Sequence, residues 1–237
     1  MASERLREKI EEMQKHEAAL HRENASPEKA PLLAAVDGRC GAGKTTLAAF
    51  LQEKFGWSVL HMDHFFLRPE QRTKDRLDMP GGNVDYERFL EEVLLPLKKG
   101  AREIAYRPFD CREMALAEPI LIAPAEVCLV EGSYSCHPAL WDYYDLHVFL
   151  SVDAEEQMRR IVRRNGKEGA KMFRDRWILM EERYFAAYRV EERCELRLEM
   201  GSERTGKNLS PKGAGCRHRP PPQTDFFQTN AYDRTIP

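Results

Sequence analysis

Apolar residues recur at Leu6, Ile10, Met13 and Leu20, with Glu17 in the same register. Steps of four and three put them on one stripe, which predicts an amphipathic helix ending near Asn24. Docking on the main domain is its expected use; pairing with a second copy of the chain is the alternative. Residues 24–31, N-A-S-P-E-K-A-P, read as a linker by composition. The pattern then changes. Leu32 to Val36 are apolar without a break, as in a strand covered on both faces of a parallel sheet. A glycine-rich stretch follows. Beyond it, Leu47, Phe50 and Leu51 share a helical face between Thr45 and Lys54, and Gly56 is a stop signal.

The alternation continues. Trp57 to Met62 predicts a second strand, ending in Asp63. Residues 67–84 are polar and arginine-rich, contain Pro80-Gly81-Gly82, and read as a loop. Asp85 can cap a helix that buries Phe89, Leu90, Val93, Leu94 and Leu97 and closes at Gly100, with Pro96 distorting its last turn. Glu126 to Val130 is a third strand, running into Glu131-Gly132, and Leu146 to Val152 is a fourth. Asp153 and Glu156 form a capping pattern for a helix carrying Arg159, Arg160, Arg163 and Arg164. Another helix is expected over roughly Met172 to Glu192. From Gly201 the pattern dissolves into polar, basic, Pro- and Gly-rich sequence. Such a segment buries too little apolar area to offset its ordering entropy, so residues 201–237 read as a flexible basic tail. Residues 1–30 are then a helix and linker, and 31–200 one domain.

The chemistry is concentrated between strand one and the helix after it. Gly38-Arg39-Cys40-Gly41-Ala42-Gly43-Lys44-Thr45-Thr46 fits G-x-x-x-x-G-K-[ST]. Its glycines let consecutive backbone N–H groups turn around phosphate oxygens, and the helix N-terminus adds its dipole. Lys44 supplies a mobile positive charge for the β and γ phosphates, and the Thr45 hydroxyl can ligate Mg²⁺. Strands alternating with helices around this loop predict an α/β fold: a P-loop NTPase-type parallel sheet flanked by helices. Ligands of such sheets bind beyond the carboxyl ends of the strands. The glycine loop, Asp63 and Glu131 all fall there. Asp63 can position or deprotonate an alcohol, or merely turn the chain. Glu131 is placed to be the acidic Mg²⁺ partner, or is an ordinary strand-end carboxylate. Four arginines on adjacent helical positions cannot share one face, so some are solvated. One or two can swing over the γ-phosphate as a lid, for which Gly166, Gly169, Lys167, Lys171 and Arg174 supply mobility and charge.

Composition narrows the partners. The 237 residues carry 37 basic and 39 acidic side chains, a net charge of −2, so neither nucleic acid nor an anionic membrane is an expected partner. Six scattered cysteines show no C-x-x-C or zinc spacing and read as reduced thiols. No apolar run is long enough to span a bilayer, and the charged N-terminus has no signal-like core. The expected location is the cytoplasm.

D-G-R-C-G-A-G-K-T-T, H-M-D-H-F-F, G-G-N-V-D-Y-E-R-F, Y-R-P-F-D-C, V-E-G-S-Y and the run from Tyr143 to Arg164 together resemble the uridine kinase family of P-loop nucleoside kinases. They stand in the family's order over roughly residues 32–190. The resemblance implies that Asp63 is the catalytic aspartate, that Asp85 holds ribose hydroxyls, that Phe109-Asp110 packs against a nucleobase, and that Arg160, Arg163 and Arg164 are lid arginines. Phe66 replaces the tyrosine of the family's D-S-F-Y segment, Phe109 replaces another, and C-R-E-M-A-L-A-E lacks the histidine expected after it. A pocket without those groups discriminates differently.

The expected activity is transfer of the γ-phosphoryl of ATP, with Mg²⁺, to the hydroxyl of a small molecule, first among them the 5′-hydroxyl of a nucleoside. A kinase for another hydroxylated metabolite, an ATPase module without an acceptor, and a binding protein that has lost catalysis are the alternatives. An N-K-x-D guanine motif is absent.

Overall fold

In the computed structural model, residues 2–20 and 30–201 are described, with side chains for 2–15 and 30–201. The last turn expected for the first helix, most of the linker and the tail beyond Gly201 lie outside the described residues.

The chain opens with α1 (Ala2–Leu20) and enters β1 (Leu32–Gly38), α2 (Lys44–Phe55) and β2 (Ser58–His61). A 3₁₀ turn over Met62–Phe65 carries Asp63, so the second strand stops before the position expected for its end. The polar stretch after Leu67 is not all loop: Thr73 caps a short helix α3 (Lys74–Asp78) through its side chain. Asp85 caps α4 (Tyr86–Phe89), which continues through a π turn at Leu90–Leu94 into α5 (Leu95–Lys98). Pro96 explains the π turn. It has no N–H and its ring crowds the carbonyl four residues back, so the helix widens a turn upstream of the expected distortion.

Four very short strands follow in two antiparallel pairs: β3 (Ile104–Tyr106) with β6 (Ile120–Ile122), enclosing β4 (Phe109–Asp110) with β5 (Ala115–Leu116). Then come β7 (Val127–Glu131), β8 (Leu146–Ser151), α6 (Ala154–Met172), a π segment at Phe173–Trp177, α7 (Ile178–Tyr188), α8 (Val190–Arg193) and β9 (Leu196–Glu199). Arg189 takes a left-handed backbone between α7 and α8, which divides the long helix expected there.

Five strands form one sheet in the order β2-β7-β1-β8-β9, and every neighbouring pair is parallel. The fold class expected from the sequence is the one observed. Period-two alternation divides the apolar residues between two layers. Leu33, Ala35, Cys128, Val130 and Phe149 face a core with Phe65, Phe89 and Tyr184. Leu32, Ala34, Val36, Leu129, Val148 and Leu150 face the other, with Leu47 and Leu51 of α2. Leu6 and Ile10 of α1, both wholly buried, join that second layer. β1 lies at the centre of the sheet. Its carboxyl end is therefore flanked by the ends of β7 and β8, the edge on which the site is built.

Candidate active site

The glycine loop is shaped by three left-handed glycines, Gly38, Gly41 and Gly43, at φ 129°, 76° and 98°. Gly38 also lies so close to the next strand that any Cβ would collide with the Leu150 carbonyl. Gly43 hands over to α2, whose first turn has no side-chain cap, leaving helix N-terminal donors directed at the loop. The outer wall is braced by α6. Gln157 Nε2 donates to the Cys40 carbonyl at 2.9 Å, and Arg160 donates to the carbonyls of Gly41 and Ala42 at 3.2 and 3.3 Å. Arg160 is itself held by Glu156 at 2.6 Å and reaches the Gly201 carbonyl at 3.1 Å.

Inside the loop, the buried Lys44 ammonium donates to the carbonyls of Gly38 and Arg39 at 2.5 and 3.2 Å and lies 3.4 Å from Ser133 Oγ. Beside it, the Thr45 hydroxyl donates to Glu131 at 3.1 Å. Glu131 is 3% exposed, and its other oxygen contacts His61 Nδ1 at 2.6 Å. Burial pushes the His61 imidazole down, but the Glu131 hydrogen bond and charge, with Asp63 beyond, outweigh it and raise its pKa. A hydroxyl and a carboxylate in contact at the phosphate loop are hard oxygen donors of the kind Mg²⁺ accepts alongside phosphates and water, so Thr45 and Glu131 fit that ion.

Asp63 stands on the 3₁₀ turn, exposed to solvent at the rim. A methyl at Gly132 would lie 2.9 Å from Met62 Cβ and 3.5 Å from Asp63 Oδ1, so the strand-end glycine makes room for this turn. The protein packed around it, and then the Glu131 carboxylate, raise the Asp63 carboxyl to about 6, while Lys44 and His61 pull it back. Water reaching the side chain screens part of this.

The other expected residues fall in three groups. Asp85 is 2% exposed and caps α4 by accepting the Arg88 N–H at 3.2 Å, while Gln71 Nε2 donates to its second oxygen at 2.8 Å. Asp110 accepts the N–H groups of Arg112 and Glu113 at 2.7 and 3.3 Å, turning the β4–β5 hairpin. Phe109 is buried under the Arg72 guanidinium, whose carbon is 5.6 Å from the ring centroid, and Phe66 is half-buried against the core. Of the arginines, Arg163 is exposed, and Arg164 donates to Asn165 Oδ1 at 2.8 Å and sits 5.4 Å from the Phe173 ring. Arg160 is the one clasped to the loop.

Four residues of the site were not singled out from the sequence: Asp37, His61, Ser133 and Glu181. Asp37 ends the apolar run of β1, and a charge there was a readable signal. Wholly buried, it accepts from the N–H groups of Gly38, Tyr134 and Cys136 and from the Tyr184 hydroxyl, at 2.7 to 3.1 Å. Burial raises its carboxyl to about 6, against the pull of Lys44 and these donors. Ser133 lay inside V-E-G-S-Y. Glu181 carried no local signal, because its place depends on α7 crossing the loop.

No protein-family profile matches the chain. Among curated proteins it is 31% identical over 150 residues to a uridine kinase of Chlamydia pneumoniae, covering 58% of this chain and 66% of that one. It is 28% identical over 149 residues to the uridine kinase of Saccharomyces cerevisiae, covering 59% of this chain but 30% of the yeast protein. Among solved structures, a D-glycerate 3-kinase of Cryptococcus neoformans superposes with a TM-score of 0.56 at 17% identity, covering 77% of this chain and 91% of that one.

Proposed function

We propose that this chain, a member of the uridine kinase-like P-loop kinase family, transfers the terminal phosphoryl group of ATP to the hydroxyl of a small molecule. The 5′-hydroxyl of a nucleoside or ribose-like compound is the leading acceptor. The observation that carries the reading is the gathering at the carboxyl edge of the sheet of Lys44, the Thr45–Glu131 pair and, beside Gly132, a solvent-facing Asp63. The loop amides and Lys44 bind the triphosphate. Thr45 and Glu131 would hold Mg²⁺, which would supply positive charge to offset that of the phosphates. Asp63 orients the acceptor hydroxyl and takes its proton, and the open rim at Asp63 is where that hydroxyl enters. Arg163 and Arg164, on the exposed part of α6, form the basic lid over the transferring group.

The acceptor face is built from the 3₁₀ turn, the capped start of α4 and the β4–β5 hairpin. Asp85 performs its capping role here, so ribose recognition through it requires Gln71 to yield. Phe66 and Phe109 carry no hydroxyls, and Phe109 is covered by the Arg72 guanidinium. The test is an acceptor screen read as ADP release, with uridine, cytidine, nicotinamide riboside and glycerate among the compounds. ADP release that depends on an added alcohol supports the reading. Turnover equal with and without acceptor supports an ATPase instead and overturns it.

A further inference from the structure

Two consecutive carboxylates of α7 reach the glycine loop. Successive helical residues point about 100° apart, so they do different things. Glu182 pairs with Arg39 at the outer rim. Glu181 turns inward and is 5% exposed. Its carboxylate accepts the Cys40 backbone N–H at 2.9 Å and the Ser133 hydroxyl at 2.5 Å. That same Ser133 oxygen lies 3.4 Å from Lys44 Nζ. An acidic side chain thus holds a loop amide and a hydroxyl beside the loop ammonium, donors of the type that receive phosphate oxygens. Two anions cannot share such a small set of donors without strong repulsion.

We propose that Glu181 is the resident anion of the loop, displaced by the terminal phosphate when a nucleoside triphosphate binds. The phosphate takes the Cys40 amide, and the Glu181 side chain turns away from it while α7 stays in place. Glu181 is thereby a positioning residue: it holds the loop in shape before the nucleotide arrives and lowers the apparent affinity for triphosphate. This inference rests on reading the loop as a triphosphate site.

The experiment is calorimetric titration of the full chain with ATP, ADP and inorganic tripolyphosphate in the presence of Mg²⁺. Glu181→Gln keeps the size of the side chain and removes its charge. It is expected to bind ATP and tripolyphosphate about tenfold more tightly than the wild type, the middle of the usual range for coupled sites. ADP, lacking the displacing phosphate, should tighten less. Glu182→Gln should change none of them by more than about twofold, as expected of a surface pair. Loss of a merely structural contact would weaken binding, so the sign of the change is decisive. Glu181→Asp, which withdraws the charge by one methylene, must also tighten ATP binding and serves if the glutamine variant does not fold. Unchanged or weaker ATP binding by folded variants overturns the proposal while leaving the triphosphate site intact. If neither the wild type nor the variants bind any triphosphate, the reading of the loop itself falls.

Discussion

At the scale of single residues, two aspartates with raised pKa values have opposite uses. Asp63 faces solvent and must be ionised to accept a proton. The protein packed around it and the Glu131 carboxylate raise its carboxyl above the usual carboxylate range, toward about 6, so kcat/KM is expected to fall as pH drops through that raised value and to level off above it. A pH–rate profile checks this, and the acid limb should vanish in residual turnover by Asp63→Asn. That variant should lose roughly 10²–10⁴-fold in turnover while keeping nucleotide affinity, which equilibrium binding separates. Asp37 is sealed inside and accepts four donors. An amide cannot accept from all of them, so Asp37→Asn is expected to cost about 2–4 kcal/mol, read from urea unfolding. The sign of its pH dependence follows from a folded value of about 6 against 3.8 unfolded. The group's contribution is largest below the unfolded value and is lost as pH rises through about 6. The stability gap between wild type and Asp37→Asn should therefore narrow from pH 4 to pH 6 and stay constant above. Of these two, Asp63 was legible because it ends an apolar run at a place where ligands bind. Asp37 was hidden by a loop motif that starts one residue later.

Elements carry the next set of consequences. The glycine loop, its flanking strand and helix, and the caps at Asp85 and Asp153 could be read locally because each is fixed by residues within one turn. The two hairpins of two- and three-residue strands could not, since their pairing spans up to eighteen positions and carries no run long enough to show a period. β9 was missed for a related reason: Leu196 and Leu198 alternate with exposed residues over only four positions. Two glycines test how much each element tolerates. Gly38→Ala forces a Cβ into the Leu150 carbonyl at a backbone angle that L-residues rarely adopt. It is expected to cost about 3 kcal/mol or more and to abolish nucleotide binding. Gly166 interrupts α6 at φ 72° and ψ 176°, with nothing within 4 Å of an added methyl. Gly166→Ala should cost only its backbone strain, about 1–3 kcal/mol, and leave nucleotide affinity near wild type. If the arm must move during the cycle, turnover should fall several-fold, which steady-state kinetics will show.

For the whole molecule, the parallel sheet with covered faces followed from apolar runs without polar breaks, whereas strand order did not, because order is set by contacts between distant segments. The first helix is part of the main core: Leu6 and Ile10 are wholly buried beside α2 and the sheet. Ile10→Ala should therefore destabilise the domain by about 2–5 kcal/mol, measured as one cooperative transition shifted to lower denaturant. A separate, weaker transition would mean that the helix melts on its own. Among the described residues no helix is long and apolar enough to cross a membrane.

The arm from α6 to α7 is fastened at both ends. Gln157 and Arg160 pin its start to the loop carbonyls, and the Tyr184 hydroxyl pins its finish to Asp37 beneath the same loop. A span secured at two abutments bows under load; it does not swing like a door. Its excursions are consequently short, are concentrated near the break at Gly166, and pull on the cradle from two sides at once. The break at Gly166 is in this way the joint at which the span flexes without loosening either abutment.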